Sequence, residues 1–197
     1  MSEGVDALTE TVLKSQQVFE GSRIKVRVDD VEMADGRKAR REVVEHPDAV
    51  VILALRDDGL IAFVRQWRHA TGRALLELPA GRVDPGEEPA ETARRELREE
   101  VGLDPARLDF ARGFFVAPGF ANEFLHGFVA RDCVESPLEA DEDEELIVEW
   151  MPLGDAIELV ESGEIIDAKS VIMIQFLALE AVGPLGRKIV RHYRGQQ

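Results

Sequence analysis

The chain has 197 residues, of which 45% are hydrophobic, enough for one domain with a sizeable core plus an arm or tail. Its 39 acidic residues outnumber 24 Lys and Arg, and the formal charge of −15 argues against a nucleic-acid partner or an anionic membrane, since either calls for a basic stripe that neutralises phosphates. Cys133 is the single cysteine, which excludes an intrachain disulfide and multi-cysteine zinc sites and leaves a buried small apolar residue as the plain reading. Glu3, Asp6 and Glu10 stand where a secretory signal would carry basic residues, and no segment has the length of a membrane span, so a soluble cytoplasmic protein is expected.

Residues 1 to about 16 lack a strong pattern and read as a mobile lead or a short helix. Ile24 to Val28 has a strand period, Asp35-Gly36 marks a hairpin turn, and Arg41 to Glu45 returns as a second strand. Val50 to Leu55 is a continuous apolar run, suited to a strand buried on both faces, and Asp57-Asp58-Gly59 turns it into a strand from Leu60 to Trp67. Arg65, Gln66, Trp67, Arg68 and His69, with Arg73, form a basic island in an acidic chain, the kind of place a phosphate ligand needs.

Asp84-Pro85-Gly86 is a turn signal, Pro89 suits a first helical turn and Gly102 a C-terminal stop, so a helix is predicted from near Pro89 to Val101. Ala90, Ala93, Leu97 and Val101 fall at helical spacing and predict its core-facing stripe. Leu108 to Val116 and Phe124 to Val129 read as strands around the loop Ala117 to Asn122. Residues 135 to 145 form an acidic loop before a strand through Trp150. Pro152 to Glu161 and Asp167 to Val182 read as helices, the second nearly apolar on Val171, Ile172, Ile174, Phe176, Leu177 and Leu179 and therefore packed across a sheet. The tail from Gly183 carries Arg187, Lys188, Arg191 and Arg194 and reads as a solvated basic segment. Mixed strands around a central helix imply an α/β fold with helices on both sides of a mixed sheet.

Glu96 and Glu100 lie four apart, one above the other, with Glu99 adjoining Glu96, so three carboxylates crowd the end of one helix. Like charges at that spacing cost about 0.2–0.5 kcal/mol per pair, and acids in a last turn oppose the helix dipole by a similar amount. Something positive belongs there, and clustered carboxylate oxygens are a ligand set that Mg²⁺ prefers.

Gly81, Glu87, Arg95-Glu96-Leu97, Glu99-Glu100 and Gly102-Leu103 occupy every fixed position of the motif that names the Nudix hydrolases. Chance would produce that pattern roughly once in a hundred million windows. The chain resembles this family, and three features outside the motif resemble its ADP-ribose pyrophosphatase branch: Pro118 sixteen positions after Gly102, the entry Arg41 to Pro47, and the approach Gly163 to Ser170 to the last helix.

The resemblance implies a Nudix-type α/β/α sandwich with a mixed sheet (46–182), an N-terminal β-rich, dimer-forming arm (1–45) and a basic tail (183–197). It implies Mg²⁺ or Mn²⁺ held by the Ala80 carbonyl with Glu96, Glu99 and Glu100, and Glu87 and Arg95 bracing the loop and helix. Glu99 and Glu100 also count as catalytic, with Glu142 as the base and Glu144 as its alternative. Arg41, Gln66 and Arg68 are the implied substrate contacts, with Phe19 or Ile24 packing on the nucleobase, and the partner is a second copy of the chain. The implied reaction is hydrolysis of ADP-ribose to AMP and ribose 5-phosphate, or of another nucleoside diphosphate sugar such as GDP-mannose. A non-hydrolytic nucleotide sensor would be favoured by a missing metal glutamate, and none of the three is missing here.

Overall fold

The computed structural model describes residues 8–139 and 145–183. The described residues separate into two compact units, one running through Asp48 and joined by Phe114–Phe124, the other comprising Ala49–Gly113 and the chain from Leu125 onward.

The first unit is an antiparallel sheet in the order β1 (Glu10–Glu20), β2 (Lys25–Met33), β3 (Lys38–Glu45). The expected Asp35-Gly36 hairpin joins β2 to β3, with Gly36 at φ 83°, a conformation that a residue without Cβ adopts freely. A strand from Glu10 replaces the expected mobile lead or short helix. Its register against β2 shifts between Val12 and Lys14 and again between Gln17 and Phe19, and each shift moves the following side chains to the other face. All eleven residues are exposed, so no alternating pattern reached the sequence. The loop Ala117–Asn122 is bonded to the end of β3: the Val44 N–H donates to Phe120 O (2.8 Å), and the His46 N–H donates to Asn122 Oδ1 (2.9 Å).

The second unit is built on β4 (Ala49–Ala54), buried at all six positions, as its unbroken apolar run predicts. It lies in a mixed sheet of order β7-β4-β9-β8, pairing antiparallel with β7 (Ala80–Arg82) and parallel with β9 (Phe124–Glu135); β8 is Leu103–Phe115. A second sheet, β10-β5-β6, joins β5 (Leu60–Arg68) antiparallel to β10 (Leu146–Pro152) and β6 (Arg73–Glu77). The short strands β6 and β7 went unforeseen, and β8 and β9 run longer than their predicted Leu108–Val116 and Phe124–Val129.

Among the described residues three α-helices complete this unit: α1 (Pro89–Glu100), α2 (Leu153–Ser162) and α3 (Ala168–Ala181). Val50, Ile52 and Ala54 share a buried cluster with Ala93 and Leu97 of α1 and with Phe128. The opposite face of the sheet meets α3. Gly127, the ladder partner of Val51, lies so close under Met173 that an added Cβ would come within 2.5 Å of its sulfur. Helices therefore cover both faces of β4, the α/β/α arrangement. In α3 the buried residues are Ser170, Met173, Ile174 and Leu177, whereas Leu179 is exposed, because a helix apolar on nearly every side does not announce which side is covered. Cys133 is half-buried at the rim of the core, and burial pushes its thiol up from the usual range. Among the described residues no helix is long and apolar enough to cross a membrane.

Candidate active site

The site grows from the connection between β6 and α1. Glu77 ends β6, and Leu78 and Pro79 lead into β7, whose Gly81 is the ladder partner of Val50. The turn that follows has Gly86 at φ 86° and a bond from Glu87 N to Asp84 O (3.0 Å). Pro89 then opens α1, with Glu88 as the N-cap and a reciprocal Glu88–Glu91 capping box.

The stripe that α1 buries differs from the predicted one. Ala90 is exposed, and the buried residues are Thr92, Ala93, Glu96, Leu97 and Glu100. Glu96 and Glu100 are 9% and 5% exposed, so two of the three carboxylates lie on the inner edge of the helix rather than in an open acidic cluster. Sequence periodicity assigns carboxylates to the outside by default, and the pairing of β7 against β4 overrides that here. Gly81 makes room for this: a Cβ there would fall 1.9 Å from the Glu96 carboxyl carbon.

Arg95 organises the acids. Its Nε and Nη2 donate to the two oxygens of Glu87 (both 3.1 Å), Nη2 also to Arg82 O (3.2 Å), and Nη1 to Glu96 Oε1 (2.8 Å) and Glu99 Oε2 (2.9 Å). The expected brace between Glu87 and Arg95 is thus present as a bidentate pair, and Thr92 Oγ1 adds a bond to Glu87 (2.8 Å). Hydrogen bonding from Arg95 holds the Glu87 carboxyl below the usual range and raises the Arg95 guanidinium further. Glu100 Oε2 accepts the Ala80 N–H (3.0 Å), joining the helix end to the strand whose Ala80 carbonyl completes the expected ligand set.

The carboxylate oxygens of Glu96 and Glu99 meet at Arg95 and that of Glu100 at the Ala80 N–H, and oxygen donors of this kind suit a hard divalent cation. Among the described residues no three His, Cys, Asp or Glu side chains converge closely enough to enclose an ion by themselves.

The basic island is largely committed. Arg65 forks onto Glu149 (2.5 and 3.4 Å), and Arg68 forks onto Glu77 (2.8 and 2.6 Å). Gln66 is half-buried between them on β5. In the first unit Arg41 pairs with Glu10. Phe19 and Ile24 adjoin each other: the Gly21 N–H donates to Ile24 O (2.9 Å), and the Phe19 ring lies over Gly21. Ile24 also lines a cleft of about 290 Å³ with Lys25, Glu45 and His46. Glu142 and Glu144 lie outside the described residues, as does the basic tail beyond Gly183. Sequence reasoning missed Glu77 and Lys169; the signal for Glu77 was an acid inside the apolar run Leu75-Leu76-Glu77-Leu78.

The NUDIX domain model matches residues 45–172, around this helix and its loop. The chain belongs to the Nudix family. A second family model, the nucleoside diphosphate sugar hydrolase N-terminal domain, matches residues 10–44 ahead of the Nudix domain. The chain is 43% identical to an ADP-ribose pyrophosphatase of Bacillus subtilis over 88% of its own length and 95% of that protein's. It is 36% identical to a methanol dehydrogenase activator of Bacillus methanolicus, over 87% of this chain and 94% of that one. A GDP-mannose pyrophosphatase of Cronobacter sakazakii is 33% identical over 78% of this chain and 86% of its own. The crystal structure of an ADP compounds hydrolase matches with a TM-score of 0.80 at 28% identity, over 89% of this chain and 97% of that one. This Nudix chain therefore shares its fold with a hydrolase along most of its length.

Proposed function

We propose that this Nudix hydrolase cleaves the pyrophosphate of ADP-ribose with water, giving AMP and ribose 5-phosphate. The observation that carries the reading is the joining of Glu96 and Glu99 by Arg95 and of Glu100 to Ala80, in a chain 43% identical to an ADP-ribose pyrophosphatase. Ala80 O, Glu96, Glu99 and Glu100 would hold the cation, Mg²⁺ or Mn²⁺. When bound, the cation neutralises phosphate oxygens and favours attack on phosphorus. Water forms the new P–O bond, the bridging P–O–P bond breaks, and the water proton passes to a carboxylate base, Glu142 with Glu144 as its alternative. Glu99 and Glu100 take part by keeping the charge at the reacting centre in register.

Arg41, Gln66 and Arg68 contact the substrate, and Phe19 or Ile24 packs on the base. The N-terminal arm pairs two copies of the chain into a homodimer, the working form is cytoplasmic, and its Nudix domain spans 46–182. Hydrolysis of another nucleoside diphosphate sugar is the second reading. It draws on the match of residues 10–44 to a nucleoside diphosphate sugar hydrolase domain and on the GDP-mannose pyrophosphatase relative.

The deciding experiment compares kcat/KM for ADP-ribose, ADP-glucose, GDP-mannose, UDP-glucose and NADH with Mg²⁺, with Mn²⁺ and with chelator. A clear lead for ADP-ribose with AMP as product is expected. A lead for GDP-mannose moves the assignment to the second reading, and no turnover with either cation overturns both. Glu142→Gln is expected to lower kcat with Mn²⁺ affinity intact; if Glu144→Gln alone does so, the base is Glu144.

A further inference from the structure

Behind the motif lies a closed ring of polar groups, Glu77, Lys169, Asp167 and Ser170, to which the proposed substrate contact Arg68 is tied. Glu77, 1% exposed, accepts both arms of the Arg68 fork and a bond from Lys169 Nζ. Lys169 Nζ also donates to Asp167 Oδ2 (2.8 Å). The same Asp167 oxygen caps α3, accepting from Ser170 N (3.1 Å) and Ser170 Oγ (2.7 Å). Ser170, fully buried, closes the ring by accepting the Leu78 N–H at its Oγ (2.8 Å). Burial by itself would raise the Glu77 carboxyl, yet the bonds and charges of Arg68 and Lys169 hold it below the usual range. Two acids and two bases balance, which offsets the burial of the Glu77 carboxylate.

The ring has a direction. Residue by residue from Glu77, the chain is tied to a different element: Leu78 N to α3, Pro79 O to Ile52 N of β4 (2.8 Å), and Ala80 N to Glu100 of α1 (3.0 Å). Arg68, held by Glu77, also feels the charge of Glu100. We propose that Glu77 and Lys169 are positioning residues. By locking the N-terminus of α3 to the end of β6, they fix the path of residues 77–80 and so aim the Ala80 carbonyl at the cation shared with Glu96, Glu99 and Glu100. This rests on the metal assignment above and extends it to residues that touch neither cation nor substrate.

The test measures Mn²⁺ binding alone, by the electron paramagnetic resonance signal of free Mn²⁺, beside thermal unfolding and kcat and KM. The variants are Glu77→Gln, Lys169→Met and Ser170→Ala, with Met173→Ala, a fully buried residue of α3 outside the ring, as a stability control. Ring variants are expected to weaken Mn²⁺ binding about 10–100-fold, the range for groups that orient metal ligands; Lys169→Met and Ser170→Ala lower kcat more than they raise KM, and Glu77→Gln also raises KM through Arg68. Met173→Ala is expected to lower the melting temperature with Mn²⁺ affinity unchanged. Equal Mn²⁺ affinity in ring variants and wild type, or an equal loss in Met173→Ala, overturns the proposal while leaving the metal site standing. Absence of Mn²⁺ binding by the wild type overturns the metal site and the proposal together.

Discussion

Replacing Gly81 by Ala tests whether the Glu96 carboxylate works from where it lies. The added methyl would sit 1.9 Å from the Glu96 carboxyl carbon and from Oε1, where an ordinary contact begins at 3.4 Å, so the carboxyl must retreat by about 1.5 Å. It is the far end of a flexible side chain, and β7 keeps its pairing to β4, so the fold survives. Retreat breaks the bond from Arg95 Nη1 to Glu96, a part-buried charge-assisted contact worth about 1–2 kcal/mol. For a chain of this size that lowers the melting temperature by about 2–8 °C. The effect on rate is larger, because a displacement of about 1 Å in a reacting constellation costs on the order of a hundred-fold, or about 2.7 kcal/mol of barrier. The assay is kcat/KM for ADP-ribose beside Mn²⁺ affinity and a thermal melt. Turnover within about three-fold of wild type, with Mn²⁺ affinity unchanged, would refute the role given to Glu96, since the displacement itself is dictated by sterics.

Glu100→Gln keeps an oxygen to accept the Ala80 N–H but removes a charge, so turnover should fall by about a hundred-fold or more with only a modest change in melting temperature; near-normal turnover would sink the metal assignment. Glu87 has its carboxyl depressed by Arg95, so its contribution to stability is fully present above its unfolded value of about 4.3 and is lost as pH falls through the lower folded value. Glu87→Gln should therefore lower stability at neutral pH and flatten the acid limb of a melting-temperature profile below about pH 4.3; an unchanged acid limb would show that the pair does not couple to folding. Deleting residues 1–45 removes β1, β2 and β3 and should leave a monomer with most of its turnover lost; light scattering that finds the intact chain already monomeric at micromolar concentration would count against the proposed dimer.

Legibility was uneven along the chain, and the unevenness has physical causes. The β4 strand and helix α1 could be read directly, because an unbroken apolar run and a Pro-to-Gly-bounded helical pattern are local signals. The motif residues could be named for the same reason: their spacing is set by one helix and the loop before it. β1 was hidden because two register shifts scrambled its faces and because every one of its residues is exposed. Which of the apolar residues of α3 are covered could not be read, and Leu179 is exposed, since near-uniform apolarity carries no phase.

By itself the sequence determined the fold class, the family and the three glutamates that crowd the end of α1. Only the tertiary structure decided that Glu96 and Glu100 face inward, that Arg65 and Arg68 are engaged by Glu149 and Glu77, and that Lys169 reaches back to β6. Glu77 and Lys169 are 92 positions apart, and Arg65 and Glu149 are 84 apart. Pairings of that separation arise when strands and helices stack, and no local period along the chain encodes them.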